Sequence, residues 1–491
     1  MSNKRTVAKF GGSSLKDAAA IRQSAKVAID RNVSLVIVSA TGGTTNQLIE
    51  LADMLIKTPA VEAVRIVEEM KVRHLKIADE LDLQPARKEE LEALFVRLNE
   101  LTLSLVGKDY SAVLKEIYPS TRHIYRQRIK DIQNVLDFDL SDNPALKRQS
   151  KQIYDHILSN GEQMSSILLA GAMEKAGRQT EIIDARKIIS TDENHKYANP
   201  DEQKIKKQAE KILIPRFAEG KLLISQGFVG RAPDGSTTTL GRGGSDYSAA
   251  LFAEAVNAKE LQIWSDVAVA SADPRIVKDV KHVASLTFQE AAELATSGAK
   301  ILYSKTITPM RRANIPVYVG NTFKPKEPGT RIEKTNSRKP LVTAVVVKPG
   351  QSVVTLTTEL MAQQFGYMAR VFNVFAQNKV SVDQVSTSEI SIAFTLDNGL
   401  SGQDKLLADL ERLGEVSVED GFSIVSLIGN DINNTPGLVS KIFSCLETKD
   451  SKIAIRMISQ GASKHNFCFL VADKHGRESV IRLHKQFIEE A

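Results

Sequence analysis

The sequence predicts an α/β fold, with a mostly parallel central sheet flanked by helices and two small α+β modules after it. Three observations predict it. Short apolar runs alternate with helix-period stretches at the start; residues 61–176 read as long helices; and a strand–helix order occurs twice after a polar interruption at Asn321–Pro340. At 491 residues the chain exceeds one compact domain, and its 42% apolar and 25% charged content is that of an ordinary globular protein.

The elements follow in order. Val7–Phe10 and Leu35–Ala40 are strand-like, with Asp17–Arg31 between them at helical spacing: strand, Gly turn, helix, strand, the pattern of a parallel sheet. Leu91, Leu94, Phe95 and Leu98 share one helix face. Strand-like runs return at Leu222–Val229, Leu261–Val269 and Pro316–Val319. After the interruption come Val353–Thr358 (strand), Gln364–Gln377 (helix), Val380–Val385 and Ile390–Leu396 (strands), Leu406–Leu413 (helix) and Val416–Val418 (strand). The order recurs with Ile424–Ile428, Leu438–Leu446, Ile453–Met457, Phe467–Val471 and Ser479–Ile488, so two βαββα units are expected. The boundaries drawn are 1–325 for the first domain, 326–340 for a linker, and 341–420 and 421–491 for the modules.

A net charge of +6 without a dense basic cluster among aromatics argues against nucleic acid. Cys445 and Cys468 both sit in apolar runs, as buried reduced thiols do. No stretch approaches membrane-spanning length and no signal peptide precedes the first strand, so a cytoplasmic protein is expected.

Three segments carry chemistry. Lys9-Phe10-Gly11-Gly12-Ser13-Ser14 lies between a strand and a helix, where glycine amides and a lysine could hold phosphate; a tight turn with a surface lysine is the plainer reading. Thr237–Asp246 (TTTLGRGGSD) packs three glycines, an arginine, hydroxyls and a carboxylate into ten residues, more than a plain solvated loop needs. Trp264-Ser265-Asp266, with Asp273-Pro274-Arg275 beyond it, suits a metal-nucleotide site or equally a turn with solvated charges.

Together with Gly298-Ala299-Lys300, these segments resemble in order and approximate spacing the aspartate kinases of the amino-acid kinase superfamily, most nearly the monofunctional lysine-sensitive aspartokinase III type. The resemblance covers nearly the whole chain and implies an amino-acid-kinase fold followed by two ACT-type (ferredoxin-like) regulatory modules. It implies ATP-dependent phosphorylation of the aspartate side-chain carboxylate, with ATP and Mg²⁺ as cofactors, and no protein-only metal site. Lys9 and Asp246 would be the catalytic pair. Thr45, Glu162, Arg242 and Ser245 would bind aspartate, and Lys9, Gly11, Gly12, Ser265, Asp266, Arg275 and Lys300 the nucleotide. A carboxylate is already anionic at neutral pH, so positioning and charge neutralisation replace a general base.

In the first module the resemblance places an effector site at Met361, Gly366, Tyr367, Met368, Ser381, Val382, Asp383, Thr387, Ser388 and Glu389, with lysine the foremost candidate. Core packing explains Met361, Tyr367 and Met368 equally well. Paired modules imply a homodimer or a dimer of dimers. The sequence departs from the family at Val267–Ala272, which lacks the Pro-Gly turn and tyrosine, and at Asn160, Tyr303 and Gln364. Two other readings stand beside the first: an inactive or weakly active paralogue kept for effector sensing or assembly, and a kinase for another small carboxylate such as glutamate.

Overall fold

The computed structural model describes residues 5–57, 62–106, 144–299, 302–335, 340–397, 402–447 and 452–490. The chain forms two compact units, Met1–Ala268 with Lys305–Lys334 and Val269–Ser304 with Thr335–Ala491.

The first unit is built on strands β1 (Thr6–Phe10), β2 (Leu35–Val38), β3 (Thr180–Ile183), β4 (Leu222–Gln226) and β7 (Glu260–Ser265), joined by a small hairpin of β5 (Val229–Arg231) and β6 (Thr237–Thr239). Strand β8 (Ser285–Thr287) belongs to the second unit, whereas β9 (Val317–Asn321) and β10 (Thr330–Glu333) return to the first. Within the first unit the order is β3-β4-β2-β1-β7-β9-β10, parallel except for the antiparallel β9–β10 pair. Four-residue runs such as Leu35–Val38 are buried on both faces, as a helix-covered parallel sheet requires. The helix expected at 17–31 spans Ala18–Asp30, with Asp17 capping it by accepting from Ala20 N at 2.8 Å. Further helices at Glu62–Glu80, Pro85–Val106, Pro144–Leu158 and Asn160–Lys175 account for the long helical stretch.

Some boundaries move for local reasons. The expected strand Leu222–Val229 breaks into β4 and β5 because Phe228 takes φ +67°. The sheet strand expected at Leu261–Val269 ends at Ser265, where Thr322 N closes the edge by donating to Ser265 O at 2.8 Å.

The second unit carries a six-stranded antiparallel sheet of β11 (Ala344–Thr357), β12 (Gln384–Thr387), β13 (Ser391–Asp397), β14 (Glu415–Ile428), β15 (Ile455–Ser459) and β16 (Asn466–Ala472), ordered β12-β13-β11-β14-β16-β15. Val416–Val418 and Ile424–Ile428, expected as separate strands, are one strand that absorbs Gly421 at φ +85°. The expected division at 420/421 therefore falls inside β14. Val345 and Val347 on β11 pack in one core with Val425, Leu427 and Phe469, whereas Val354 and Leu356 pack in another with Val371 and Phe394. The helix expected from Gln364 starts at Tyr367, because Gly366 at φ +77° turns the chain into it. The strand expected at Val380–Val385 forms at Gln384–Thr387. Of the two cysteines, Cys468 is buried with its thiol pushed up to about 11, while Cys445 is only half-buried.

Candidate functional site

The carboxyl ends of β1, β2 and β4 point to one edge of the sheet, where loops can converge on a ligand. A cavity of about 730 Å³ opens there and collects Lys9, Thr45, Glu162, Arg242, Ser245 and Asp246, six of the predicted site residues, from four separate stretches of chain.

Lys9, next to last in β1, pairs with Asp246 Oδ1 at 2.5 Å. Asp246 lies in the first turn of the helix Gly244–Ala255, which no side chain caps. The chain enters that helix through Gly241 (φ +76°) and Gly243 (φ +71°), left-handed positions that an ordinary side chain would strain. Between them Arg242 is exposed, with no ion-pair partner among the described residues. Gly12 approaches Ala40 so closely that a Cβ would stand 3.1 Å from the Ala40 carbonyl oxygen.

Glu162 is the most perturbed group of the cavity. It is 4% exposed, accepts from Ala40 N at 3.1 Å, and burial pushes its carboxyl up to about 8, although that hydrogen bond and Lys9 both favour the anion. Gly161 makes the approach possible: a Cβ there would meet Ala40 Cβ at 2.8 Å and Leu48 Cδ1 at 3.1 Å. Asn160 donates to His156 O at 2.9 Å and Ile157 O at 3.1 Å, a structural role.

Sequence reasoning missed four supporting residues. Arg73 and His74, on the helix Glu62–Glu80, hold the loop before Thr45. Arg73 donates to Gly42 O at 3.1 Å and to the Thr44 hydroxyl. His74 Nδ1 bonds Met70 O at 2.7 Å and Nε2 bonds Thr41 Oγ1 at 2.9 Å; burial brings its pKa down to about 4, so the ring is neutral and Thr41 donates to Nε2. Phe228, at φ +67°, lines the cavity and donates its N–H to Ser248 Oγ at 2.9 Å. Asp155, wholly buried, accepts from Thr239 Oγ1 at 2.6 Å and from Lys196 N at 3.0 and 3.2 Å, and bonds His195 Nδ1 at 2.9 Å. It ties the segment His195–Tyr197 to the strand that leads into Gly241–Asp246. Nothing in the sequence singles out Arg73 and His74, because the same amphipathic helix also carries Glu68, Glu69, Lys71 and Lys76.

The residues expected on the nucleotide side are more scattered. Gly11 follows Lys9 and donates to Trp264 O at 3.3 Å. Ser265 and Asp266 end β7 and bond each other at 3.1 Å, but do not line the cavity. Arg275 belongs to the second unit, forks onto Asp273 at 2.7 Å and holds that carboxyl below the usual carboxylate range. Lys300 lies outside the described residues.

Among the expected effector residues, Tyr367 is core: it is 2% exposed and donates to Leu413 O at 2.7 Å. Met361 and Val382 pack against the same core, while Met368 is exposed. Asp383 pairs with Lys348 at 2.6 Å. Ser388 bonds Ser391 at 2.8 Å, and Ser381, Thr387 and Glu389 are exposed.

Residues 4–321 match the model of the amino acid kinase family, and residues 354–400 and 425–487 that of an ACT domain. The chain is 35% identical to the lysine-sensitive aspartokinase 3 of Escherichia coli (strain K12), over 98% of this chain and 99% of the relative. It is 32% identical to the chloroplastic aspartokinase 1 of Arabidopsis thaliana, over 98% of this chain and 80% of that one. Its fold is similar to that of E. coli aspartokinase III in complex with aspartate and ADP (R-state), with a TM-score of 0.80, 34% identity, and coverage of 98% and 99% of the two chains. The same enzyme with lysine and aspartate (T-state) gives 0.75 at 34% identity, covering 99% of each.

Proposed function

The chain belongs to the aspartokinases, and from that premise we propose that it phosphorylates the side-chain carboxylate of L-aspartate with ATP in the Lys9–Asp246 cavity. The observation that carries the assignment is the convergence of two cations, Lys9 and Arg242, with a buried carboxyl group, Glu162, in one cavity. That set complements a zwitterion with a second carboxylate. Arg242 takes the α-carboxylate, Glu162 the α-ammonium, and Thr45 and Ser245 fix the reacting end. A side-chain oxygen then attacks the γ-phosphorus in line as the bridging P–O bond to ADP breaks. The nucleophile carries no proton, so no base is required. Lys9 and the uncapped N-terminus of Gly244–Ala255 face the charge that spreads over the phosphoryl oxygens. Asp246 orients the Lys9 ammonium.

Among the described residues no three His, Cys, Asp or Glu side chains form a metal cage. The cavity offers two carboxyl groups, Asp246 and Glu162. So small a donor set fits an Mg²⁺ carried in on nucleotide phosphates, with Asp246 the carboxylate to reach it, and that ion supplies further charge neutralisation. Gly11, Gly12, Ser265, Asp266, Arg275 and Lys300 are assigned to the nucleotide by resemblance, as are the first-module residues to lysine. The catalytic domain is assigned to residues 1–325, with β10 (Thr330–Glu333) of the stretch 326–340 completing its sheet, and the two modules to 341–491, where they share β14 across the expected 420/421 division. No described helix is long and apolar enough to cross a membrane; a cytoplasmic enzyme, a homodimer or dimer of dimers, completes the proposal. Light scattering that showed only monomer with and without lysine would remove the oligomer from it.

The test is trapping of aspartyl phosphate as its hydroxamate with ATP and Mg²⁺. Product from aspartate and not glutamate, suppressed by lysine, is expected. Product from glutamate instead, or none, would overturn the assignment.

A further inference from the structure

Eight described residues other than glycine have positive φ, and five of them are Asn or Asp, which tolerate the left-handed region. The exceptions are Lys196, Phe228 and Lys379, and two of these, Lys196 and Phe228, line the Lys9–Asp246 cavity. Lys196 stands at φ +72°, a conformation its side chain resists, and the structure is arranged to hold it there. Asp155 receives its N–H on both carboxylate oxygens, at 3.0 and 3.2 Å. On one side Ala198 N donates to Thr239 O at 3.0 Å. On the other, the face of Tyr154 lies 3.5 Å from Lys196 Nζ, close enough for a cation–π contact.

The placement matters because of what lies next to it. A Cβ on Gly241 would stand 3.2 Å from Lys196 O and 2.7 Å from the Tyr197 ring, so the Lys196 turn packs directly on the residue before Arg242. The half-buried Lys196 side chain lines the same cavity as Arg242 and Thr45.

We propose that Lys196 is a second cationic group of the aspartate site, acting with Arg242 on the substrate's α-carboxylate. The inference rests on reading the cavity as the aspartate site. It explains why a lysine is kept in a left-handed turn that glycine would adopt freely, and why a fully buried carboxylate is spent on its backbone N–H. Two cations on one carboxylate bind an amino-acid substrate more tightly than one, without touching the nucleotide.

The experiment is steady-state kinetics of the full chain with Lys196→Gly, Lys196→Met and Lys196→Arg, read by hydroxamate trapping. Glycine removes the ammonium while relieving φ +72°, so loss of fold does not confound it; methionine keeps the apolar stem and removes the charge. KM for aspartate is expected to rise about tenfold in both, the size of one charge-assisted hydrogen bond. KM for ATP should stay within about twofold, and the arginine variant should restore aspartate affinity. The dependence of aspartate KM on ionic strength should also weaken in the methionine variant, which a merely structural lysine would not cause. An unchanged aspartate KM in both neutral variants, or a parallel rise in both KM values, overturns the proposal while leaving the kinase intact. An inactive wild type overturns the aspartate reading and this inference with it.

Discussion

Glu162→Gln separates the stability of this protein from its activity. In the wild type the Glu162 carboxyl titrates at about 8, against an ordinary value of 4.5, because burial disfavours the anion. The folded state therefore holds a proton that the unfolded chain has released between those values. Below about 4.5 both states are neutral there and no difference exists; as pH rises through the window the folded state loses ground. The loss is about 3 kcal/mol at pH 7 and approaches about 5 kcal/mol above pH 8, at about 1.4 kcal/mol per unit. Glutamine keeps the shape and an oxygen for Ala40 N but cannot ionise. The variant should thus match wild type in urea midpoint near pH 4.5 and exceed it increasingly towards pH 8.5. It should also lose aspartate binding by about a hundredfold or more, since the ammonium then meets no anion. The same logic makes aspartate binding at pH 7 release close to one proton from wild type, measurable as a buffer-dependent calorimetric enthalpy. A stability gain independent of pH, or aspartate turnover retained, would refute the reasoning.

Arg242 has no ion-pair partner among the described residues and is exposed, so Arg242→Ala should leave the melting temperature and nucleotide binding nearly unchanged while reducing kcat/KM for aspartate by about a hundredfold or more, by the size of a lost bidentate pair; simultaneous loss of nucleotide binding would give the loop another role. His74 is held down to about 4 by burial, so the unfolded chain binds its proton first as pH falls, and stability is lost between about 6.5 and 4 by up to about 3 kcal/mol. His74→Gln, which can still accept from Thr41, should flatten that slope in urea titrations; an identical slope would show that the ring is not desolvated.

The parallel sheet, its helices and the chemical loops were legible because each rests on local pattern. Leu35–Val38 is apolar throughout, Asp17–Arg31 keeps helical spacing, and three glycines crowd the loop Thr237–Asp246. Thr45, Glu162 and Arg242 were legible through family resemblance, and the structure brings them to one cavity. What local pattern cannot show is long-range support. Asp155 and Thr239 are 84 residues apart, and nothing near either one announces the other. His74 reads as one more polar residue on an amphipathic helix until Thr41 is set against its ring. Likewise Tyr367, assigned to a ligand, has its hydroxyl committed to Leu413 O across 46 residues. The break at Phe228 was hidden because an aromatic in an apolar run argues for strand continuation.

The two long strands β11 and β14 have a consequence for how the second unit could be re-engineered. Lys348 and Ile424 stand opposite each other at the point where both strands pass from one core to the other. The outer part of the ladder, Ala344–Lys348 against Ile424–Ile428, is contributed by chain on both sides of everything in between. The inner module is thus an insertion spliced into a hairpin of the outer one, and its ends enter and leave as neighbours. A different module could be grafted at that junction, or the insertion replaced by a short turn, without new strand pairs. The reverse exchange, cutting between the modules as if they were beads on a string, would sever β14 in its middle and strip the outer core of the strand that begins it.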